Sequence, residues 1–347
     1  MNAPASATTA SALPTWGAVV ADAPLTAALT AEVHAHRAAV RRILDGQDDR
    51  LLVIAGPCSV HDPAAGLDYA RQLAATAVPY AGELLVVLRA YLEKPRSVLG
   101  WKGLVHDPDL DGTGDLARGL VLGRRFLLDA AQTGLPLATE FLEPLIAPYL
   151  ADVVSYGAIG ARTVASQPHR TLASWLPMPV GCKNGVDGDV GVAVDAIRAS
   201  TAPHAFPGVD EAGRPVVRRS AGNSHAHLVL RGGASGPNHD RRSVAAALAR
   251  LSAAGLPARL VVDASHGNSG KDHRRQPVVV RDLADQVRTG TSGVVGVMLE
   301  SFIHEGRHDH PAPYGVSITD ACQDLTTTAG LLDVLAGAVD QGRRATT

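Results

Sequence analysis

Apolar residues along this chain come in short blocks, and the blocks end on polar side chains. The clearest block is 51–56, LLVIAG, six residues apolar throughout, as in a strand buried on both faces. It stops at Gly56-Pro57, a turn signal, and delivers Cys58 just beyond. Asp62-Pro63 then predicts a helix start, with Asp as N-cap and Pro in the first turn. The same unit recurs. Strands are predicted over 51–56, 84–90, 136–141, 153–159, 179–183, 227–231, 259–264 and 294–300, with helical stretches between them. Two of the helices, 115–132 and 241–254, run up to Gly134 and Gly255, residues suited to the left-handed position that ends a helix. Buried strands alternating with helices predict a parallel sheet, and eight strands predict its closure: an α/β fold, the (β/α)8 TIM barrel.

Two segments depart from this rhythm. Residues 22–46 have helical amphipathicity and precede the first strand, so they are expected outside the barrel. In 204–226, Asp210-Glu211-Ala212-Gly213 separates two β-like runs and predicts a hairpin inserted between the fifth and sixth barrel strands. The expected organisation is a disordered N-terminus (1–20), a helical extension (21–50) and a catalytic barrel (51–340) carrying the hairpin.

Composition narrows the picture. At 347 residues the chain suits one barrel, and with 4% aromatics its core must rest on Val, Leu, Ile and Ala. An apolar fraction of 46% argues against disorder, and no apolar run approaches a membrane span. MNAPASATTASALPTW has neither the basic nor the apolar region of a signal peptide, and Cys58, Cys182 and Cys322 make no disulfide framework. The expectation is a cytoplasmic protein. A net charge of −2 gives no general pull toward nucleic acid or membrane, so any basic site is local.

In a closed parallel barrel the strand C-termini open on one face, where active sites are built. Read off that face, the polar residues are Cys58, Arg89, Glu140, Arg162, Lys183, Arg231, His266 and Glu300, with Asp320 in the last loop. Any one of them could be structural. Their recurrence at one end of nearly every strand is what points to a site. A thiolate, an imidazole and two carboxylates (Cys58, His266, Glu300, Asp320) suit a divalent transition metal, Mn, Fe, Co or Zn. The histidines of HEGRHDH (His304, His308, His310) are the weaker ligand set, since no strand stands behind them. The cations Arg89, Lys94, Arg96, Arg162, Lys183 and Arg231 would crowd one rim and repel each other unless anions compensate them. They predict a small substrate, or two, carrying phosphate. Gly267-Asn268-Ser269-Gly270-Lys271 looks like a phosphate loop, but a Walker A motif needs four residues between its glycines and Ser or Thr after Lys. The loose dinucleotide pattern at 112–117 has no strand before it.

The ordered segments GPCSVHDP (56–63), EKPRSVLGWKG (93–103), GAIGART (157–163), CKNGVDG (182–188), LRGG (230–233), DASHGNSGK (263–271), GVMLES (296–301) and YGVSITDACQD (314–324) resemble the type I 3-deoxy-D-arabino-heptulosonate-7-phosphate (DAHP) synthases. This is the class regulated by aromatic amino acids. The resemblance runs from about Asp48 almost to the C-terminus. It implies a metal-dependent transferase that condenses phosphoenolpyruvate with erythrose 4-phosphate, the first step of the shikimate pathway toward chorismate and aromatic amino acids. It further implies a homodimer or homotetramer, with an N-terminal extension and hairpin that carry oligomer contacts and the aromatic amino acid effector. The metal ligands implied are Cys58, His266, Glu300 and Asp320. The phosphoenolpyruvate site implied is Arg89, Gly160, Ala161, Arg162, Lys183 and Arg231, with Glu140 nearby. Lys94, Pro95, Arg96 and Ser97 would centre the erythrose 4-phosphate site, Ser97 standing where Thr is usual, and Lys94 would move the proton.

The chain departs from that family in four further places. Cys182 stands where Phe is usual. Ser174-Trp175-Leu176-Pro177-Met178 replaces a run of small residues, with Pro177 where a Ser helps form the inhibitor pocket. Phe206-Pro207-Gly208 lacks a hydroxyl, and the extension lacks the usual charged start. Altered or absent feedback inhibition by Phe, Tyr or Trp is therefore expected. The rival readings are a 3-deoxyoctulosonate 8-phosphate synthase, disfavoured by the KPRS motif, and a non-catalytic regulatory homologue, disfavoured because every metal and phosphate residue is retained.

Overall fold

The computed structural model describes residues 10–289 and 293–346. Eight parallel strands close into a barrel: β1 (Leu51–Gly56), β2 (Leu84–Arg89), β3 (Leu137–Glu140), β4 (Tyr156–Ile159), β5 (Val180–Lys183), β8 (Ala226–Leu230), β9 (Leu260–Asp263) and β10 (Val294–Glu300). Strands β6 (His204–Val209) and β7 (Pro215–Ser220) form the antiparallel hairpin between β5 and β8. All eight barrel strands lie where the apolar blocks put them. The fourth is shorter than 153–159. Arg37 donates from Nε and Nη2 to the Val154 carbonyl at 2.9 and 2.8 Å, which takes that acceptor away from any sheet.

Helices α3 (Pro63–Ala77), α4 (Leu116–Ala131), the single turn α5 (Ala147–Leu150), α6 (Gln167–Trp175), α7 (Gly191–Thr201), α8 (Arg241–Ala253), α9 (Gln276–Val287) and α10 (Leu325–Thr346) flank the sheet. Side chains cap several of them. Asp62 accepts from Ala64 N at 2.9 Å, Asp115 from Arg118 N at 3.0 Å and Asp240 from Arg242 N at 3.0 Å. The larger apolar core lies between strands and helices, and a second one fills the barrel itself.

Ahead of the barrel stand α1 (Trp16–Asp22) and α2 (Ala27–Asp45), the latter presenting Val40, Ile43 and Leu44 to the barrel's lower end. The expected disordered stretch, 1–20, needs correction within the described residues. Thr15 caps α1, Gly17 N donates to Glu211 O at 3.2 Å, and Tyr149 OH donates to Pro14 O at 2.6 Å. These contacts tie the segment to the hairpin and to the turn carrying Tyr149. Residues 1–9 of that expectation lie outside the described residues.

Candidate active site

Inside the barrel, strand alternation sets two layers. Residues that point inward recur every second position, so Val87 lies below Arg89, Ala138 below Glu140, Gly181 below Lys183, Val261 below Asp263 and Met298 below Glu300. The upper members are charged and at most 5% exposed. Burying charge is costly unless it is paired, and all of these but Glu140 are paired. Arg89 Nη2 lies 3.0 Å from Glu300 Oε1, Lys183 Nζ 2.8 Å from Asp263 Oδ2, and Lys94 Nζ 2.8 Å from Asp320 Oδ2. Burial alone would raise the Asp263 carboxyl, but Lys183 and His266 outweigh it and hold it well below the usual range. Glu300 is likewise pulled down against burial by His266, Arg89 and Lys94.

Asp263, the last residue of β9, is the site residue that strand-end reading passed over. It was legible as the first letter of DASHGNSGK, an acidic residue closing an apolar run. Its Oδ2 lies 3.0 Å from His266 Nδ1, while Ser265 Oγ lies 2.7 Å from the same nitrogen and donates to Asp263 Oδ1. Those contacts fix the ring's orientation and set Nε2 3.7 Å from Glu300 Oε1.

Cys58, Glu300 and Asp320 offer ligand atoms all within 4.8 Å of one another, the one such donor group among the described residues. His266 stands at its edge through the Nε2 contact to Glu300. Glu300 Oε1 is buried and has no hydrogen bond, its approach to Arg89 being an ion contact only. One sulfur, one imidazole nitrogen and carboxylate oxygens, with a buried acceptor left over, fit a divalent transition metal. Burial, with Glu300 second, pushes the Cys58 thiol up to about 11, and its Sγ lies 3.4 Å from Asp320 Oδ2. Lys94 Nζ lies 2.7 Å from the same sulfur. The alternative ligands His304, His308 and His310 form no such group.

The remaining residues, Pro95, Arg96, Ser97, Gly160, Ala161, Arg162 and Arg231, line one cavity of about 310 Å3 with Arg89, Lys94, Glu140, Lys183, His266 and Asp320. Arg162 Nε donates to Ser97 Oγ at 2.9 Å, joining the loops after β2 and β4. Glu140 Oε1 is buried without a hydrogen bond. It lies where a Cβ on Gly160 would come within 2.1 Å, so only glycine leaves room for it. Tyr91 stacks on Arg89, 3.8 Å from guanidinium carbon to ring centre, and holds that cation flat against the wall.

The sequence model of the DAHP synthetase I family matches residues 26–332. The chain belongs to that family. The DAHP synthetase I relatives it is similar to include a phospho-2-dehydro-3-deoxyheptonate aldolase of Corynebacterium glutamicum, 48% identical over 96% of this chain and 93% of that one. A Trp-sensitive enzyme of that name from Enterobacter agglomerans is 49% identical over 92% and 93%. A solved structure of the Francisella tularensis enzyme of that name superposes with a TM-score of 0.95 at 41% identity, covering 97% of this chain and all of that one.

Within this family member a second cavity, about 330 Å3, lies between the hairpin and α6. Trp175, Phe206, Pro207 and Gly208 line it, and Arg218 stands over the Trp175 ring at 4.5 Å while bonding Val209 O at 2.5 Å. Pro177 is not in its lining. It faces outward, its carbonyl accepting from Arg41 Nη2 at 2.8 Å.

Proposed function

We propose that this protein is a DAHP synthase (3-deoxy-7-phosphoheptulonate synthase), condensing phosphoenolpyruvate with D-erythrose 4-phosphate and water to give DAHP and inorganic phosphate. The observation that carries the reading is the division of the rim's cations. Arg89, Lys94 and Lys183 are neutralised by Glu300, Asp320 and Asp263, while Arg96, Arg162 and Arg231 have no carboxylate partner among the described residues. Three uncompensated guanidinium groups in one cavity call for anionic substrates.

Arg162 and Arg231 hold the phosphate of phosphoenolpyruvate, and Lys183 and Arg89 steady its carboxylate against the wall. Lys94, Pro95, Arg96 and Ser97 seat the phosphosugar. Cys58, His266, Glu300 and Asp320 would hold a divalent cation (Mn, Fe, Co or Zn), which would supply Lewis-acid polarisation of the aldehyde. C3 of the enol attacks the aldehyde carbon, Lys94 delivers a proton to the resulting alkoxide, and water adds at C2. Glu140, with its free buried oxygen, takes the proton of that water. The C2–O bond to phosphate then breaks, the departing phosphate taking the proton of the C2 hydroxyl, and the ketone is left. The uncompensated guanidinium groups of Arg96, Arg162 and Arg231 offset repulsion between the two anionic substrates and orient them.

The same reading makes the protein a cytoplasmic homodimer or homotetramer. Its three cysteines are all free, two of them at the site, which suits a reducing compartment. Val98 and Leu99 at the mouth (86% and 88% exposed) and Val217 on the hairpin (68%) suit burial between copies. Altered or absent feedback inhibition also follows. No carboxylate lines the hairpin cavity to take an amino acid's ammonium group, and Arg218 already lies over Trp175. The test is phosphoenolpyruvate consumption by metal-loaded protein with erythrose 4-phosphate or arabinose 5-phosphate, each aromatic amino acid added in turn. Turnover with the four-carbon sugar alone, uninhibited, is expected. Turnover with arabinose 5-phosphate, or none with either, would overturn the reaction. Half-inhibition at sub-millimolar amino acid would overturn the regulation.

A further inference from the structure

The segment Gly267-Asn268-Ser269-Gly270-Lys271 fails as a phosphate loop by its spacing, yet the fold delivers its lysine to the substrate cavity. Lys271 lines that cavity with Arg162, Arg231 and His266. Its backbone sits at φ 63°, a left-handed conformation in which an L side chain is crowded and glycine is at ease. The turn is locked by the Lys271 N–H bond to His266 O at 2.7 Å.

This loop is anchored to the strand end that carries Arg231. Asn268 N donates to Arg231 O at 3.2 Å, and its buried amide donates to Asp263 O at 2.8 Å. The backbones of Gly232 and Gly267 are in contact, since a Cβ on Gly232 would lie 2.4 Å from Gly267 C. Around the mouth, β8 and β9 are neighbours, whereas β9 is separated from β2, which leads to Arg96 and Ser97, by β10 and β1. Lys271 is exposed, and among the described residues its ammonium has no partner. It is a fourth uncompensated cation on the rim, rooted next to Arg231 and not next to the phosphosugar loop.

We propose that Lys271 completes, with Arg162 and Arg231, the site for the phosphate group of phosphoenolpyruvate and for the inorganic phosphate that it becomes. This rests on the reading of the site as a DAHP synthase. The lysine reaches in from solvent, so it binds the phosphate as the substrate enters and holds it as the C–O bond breaks. A residue that served only the turn would be better as glycine.

Lys271→Gly is the informative variant, because it removes the ammonium while suiting the backbone. Equilibrium dialysis of metal-loaded protein against phosphoenolpyruvate, and inhibition of turnover by inorganic phosphate, are the measurements. Phosphoenolpyruvate affinity and KM should weaken about tenfold, as for loss of one charge-assisted hydrogen bond, with phosphate inhibition weakened in parallel. The KM for erythrose 4-phosphate should hold, Tm should not fall, and Lys271→Arg should recover most of the affinity. Phosphoenolpyruvate and phosphate binding within about twofold of the parent, or a shift confined to erythrose 4-phosphate, would overturn the proposal. If the parent binds phosphoenolpyruvate but turns over neither sugar, the reaction assigned above is wrong, and the dialysis comparison still decides Lys271.

Discussion

The two ends of the barrel interior are made by the same strands, two residues apart, and they solve burial in opposite ways. At the lower end Val87, Val229, Val261 and Met298 meet Val40, Ile43 and Leu44 of α2 in an apolar plug. Its one polar feature is Tyr156 OH bonded to His227 Nε2 at 2.7 Å, with His227 Nδ1 donating to the His225 carbonyl at 2.9 Å. At the upper end the same strands finish in Arg89, Arg231, Asp263 and Glu300, equally shielded from water but charged. The difference shows that burial alone does not decide between scaffold and chemistry. Below, polar groups are neutral and mutually satisfied. Above, charges are retained, Arg89 with Glu300 and Lys183 with Asp263 in pairs but Arg231 with no carboxylate partner among the described residues, and acceptors such as Glu140 Oε1 and Glu300 Oε1 are left without hydrogen bonds.

Asp263→Asn should break this contrast most severely. It leaves Lys183 a buried, uncompensated cation and strips His266 of its carboxylate, so a loss of about 3–5 kcal/mol is expected in denaturant unfolding. Turnover per folded molecule should collapse with it. Met298→Ala, one layer below Glu300, should also cost about 2–5 kcal/mol through its cavity. There, however, kcat per folded molecule should hold within about twofold, because only packing is lost. Equal catalytic damage from both would mean that the layers are not separable.

The sequence showed the upper layer well and the lower one poorly, for a physical reason. A charged residue ending an apolar run has few structural excuses, so Arg89, Lys183, Arg231 and Glu300 were legible as a rim. Asp263 was overlooked because a strand-final Asp followed by Ala-Ser also reads as a turn or cap residue. Which cations stay free could not be read at all, since pairing of Lys183 with Asp263 joins residues eighty apart in the chain. The lower layer hides inside ordinary apolar runs, where nothing local distinguishes Tyr156 or His227 from any core residue. Lys271 was visible but set aside on spacing, and only the packing of Gly232 on Gly267 shows where it sits.

The pH response sharpens the comparison from the lower end. Burial pushes the His227 ring down to about 4, with the His225 backbone bond acting weakly the other way. Below about pH 6.5 the unfolded chain takes up a proton that the folded protein refuses until about pH 4. Stability from this group is therefore whole above pH 6.5 and is lost on acidification through that window, by about 1.4 kcal/mol per pH unit and about 3 kcal/mol in all. Denaturant midpoints at pH 7 and pH 4.5 should fall further apart in the parent than in His227→Gln. Parallel slopes would mean that the ring is hydrated and the plug is open.

Tyr156→Phe is the mildest of these tests and the most selective. The phenol donates to the His227 nitrogen inside the plug, and phenylalanine fills nearly the same space, so no cavity opens. What is lost is one neutral hydrogen bond, with a buried ring nitrogen left unpaired, which should cost about 1–2 kcal/mol. The charged layer above touches neither group, and the barrel strands between them are held by their own ladder. The KM for phosphoenolpyruvate and kcat should therefore be those of the parent at pH 7. A shift in either would show that the hydrogen bond at the base sets the positions of the strand ends at the mouth, and the scaffold layer would then belong to the catalytic one.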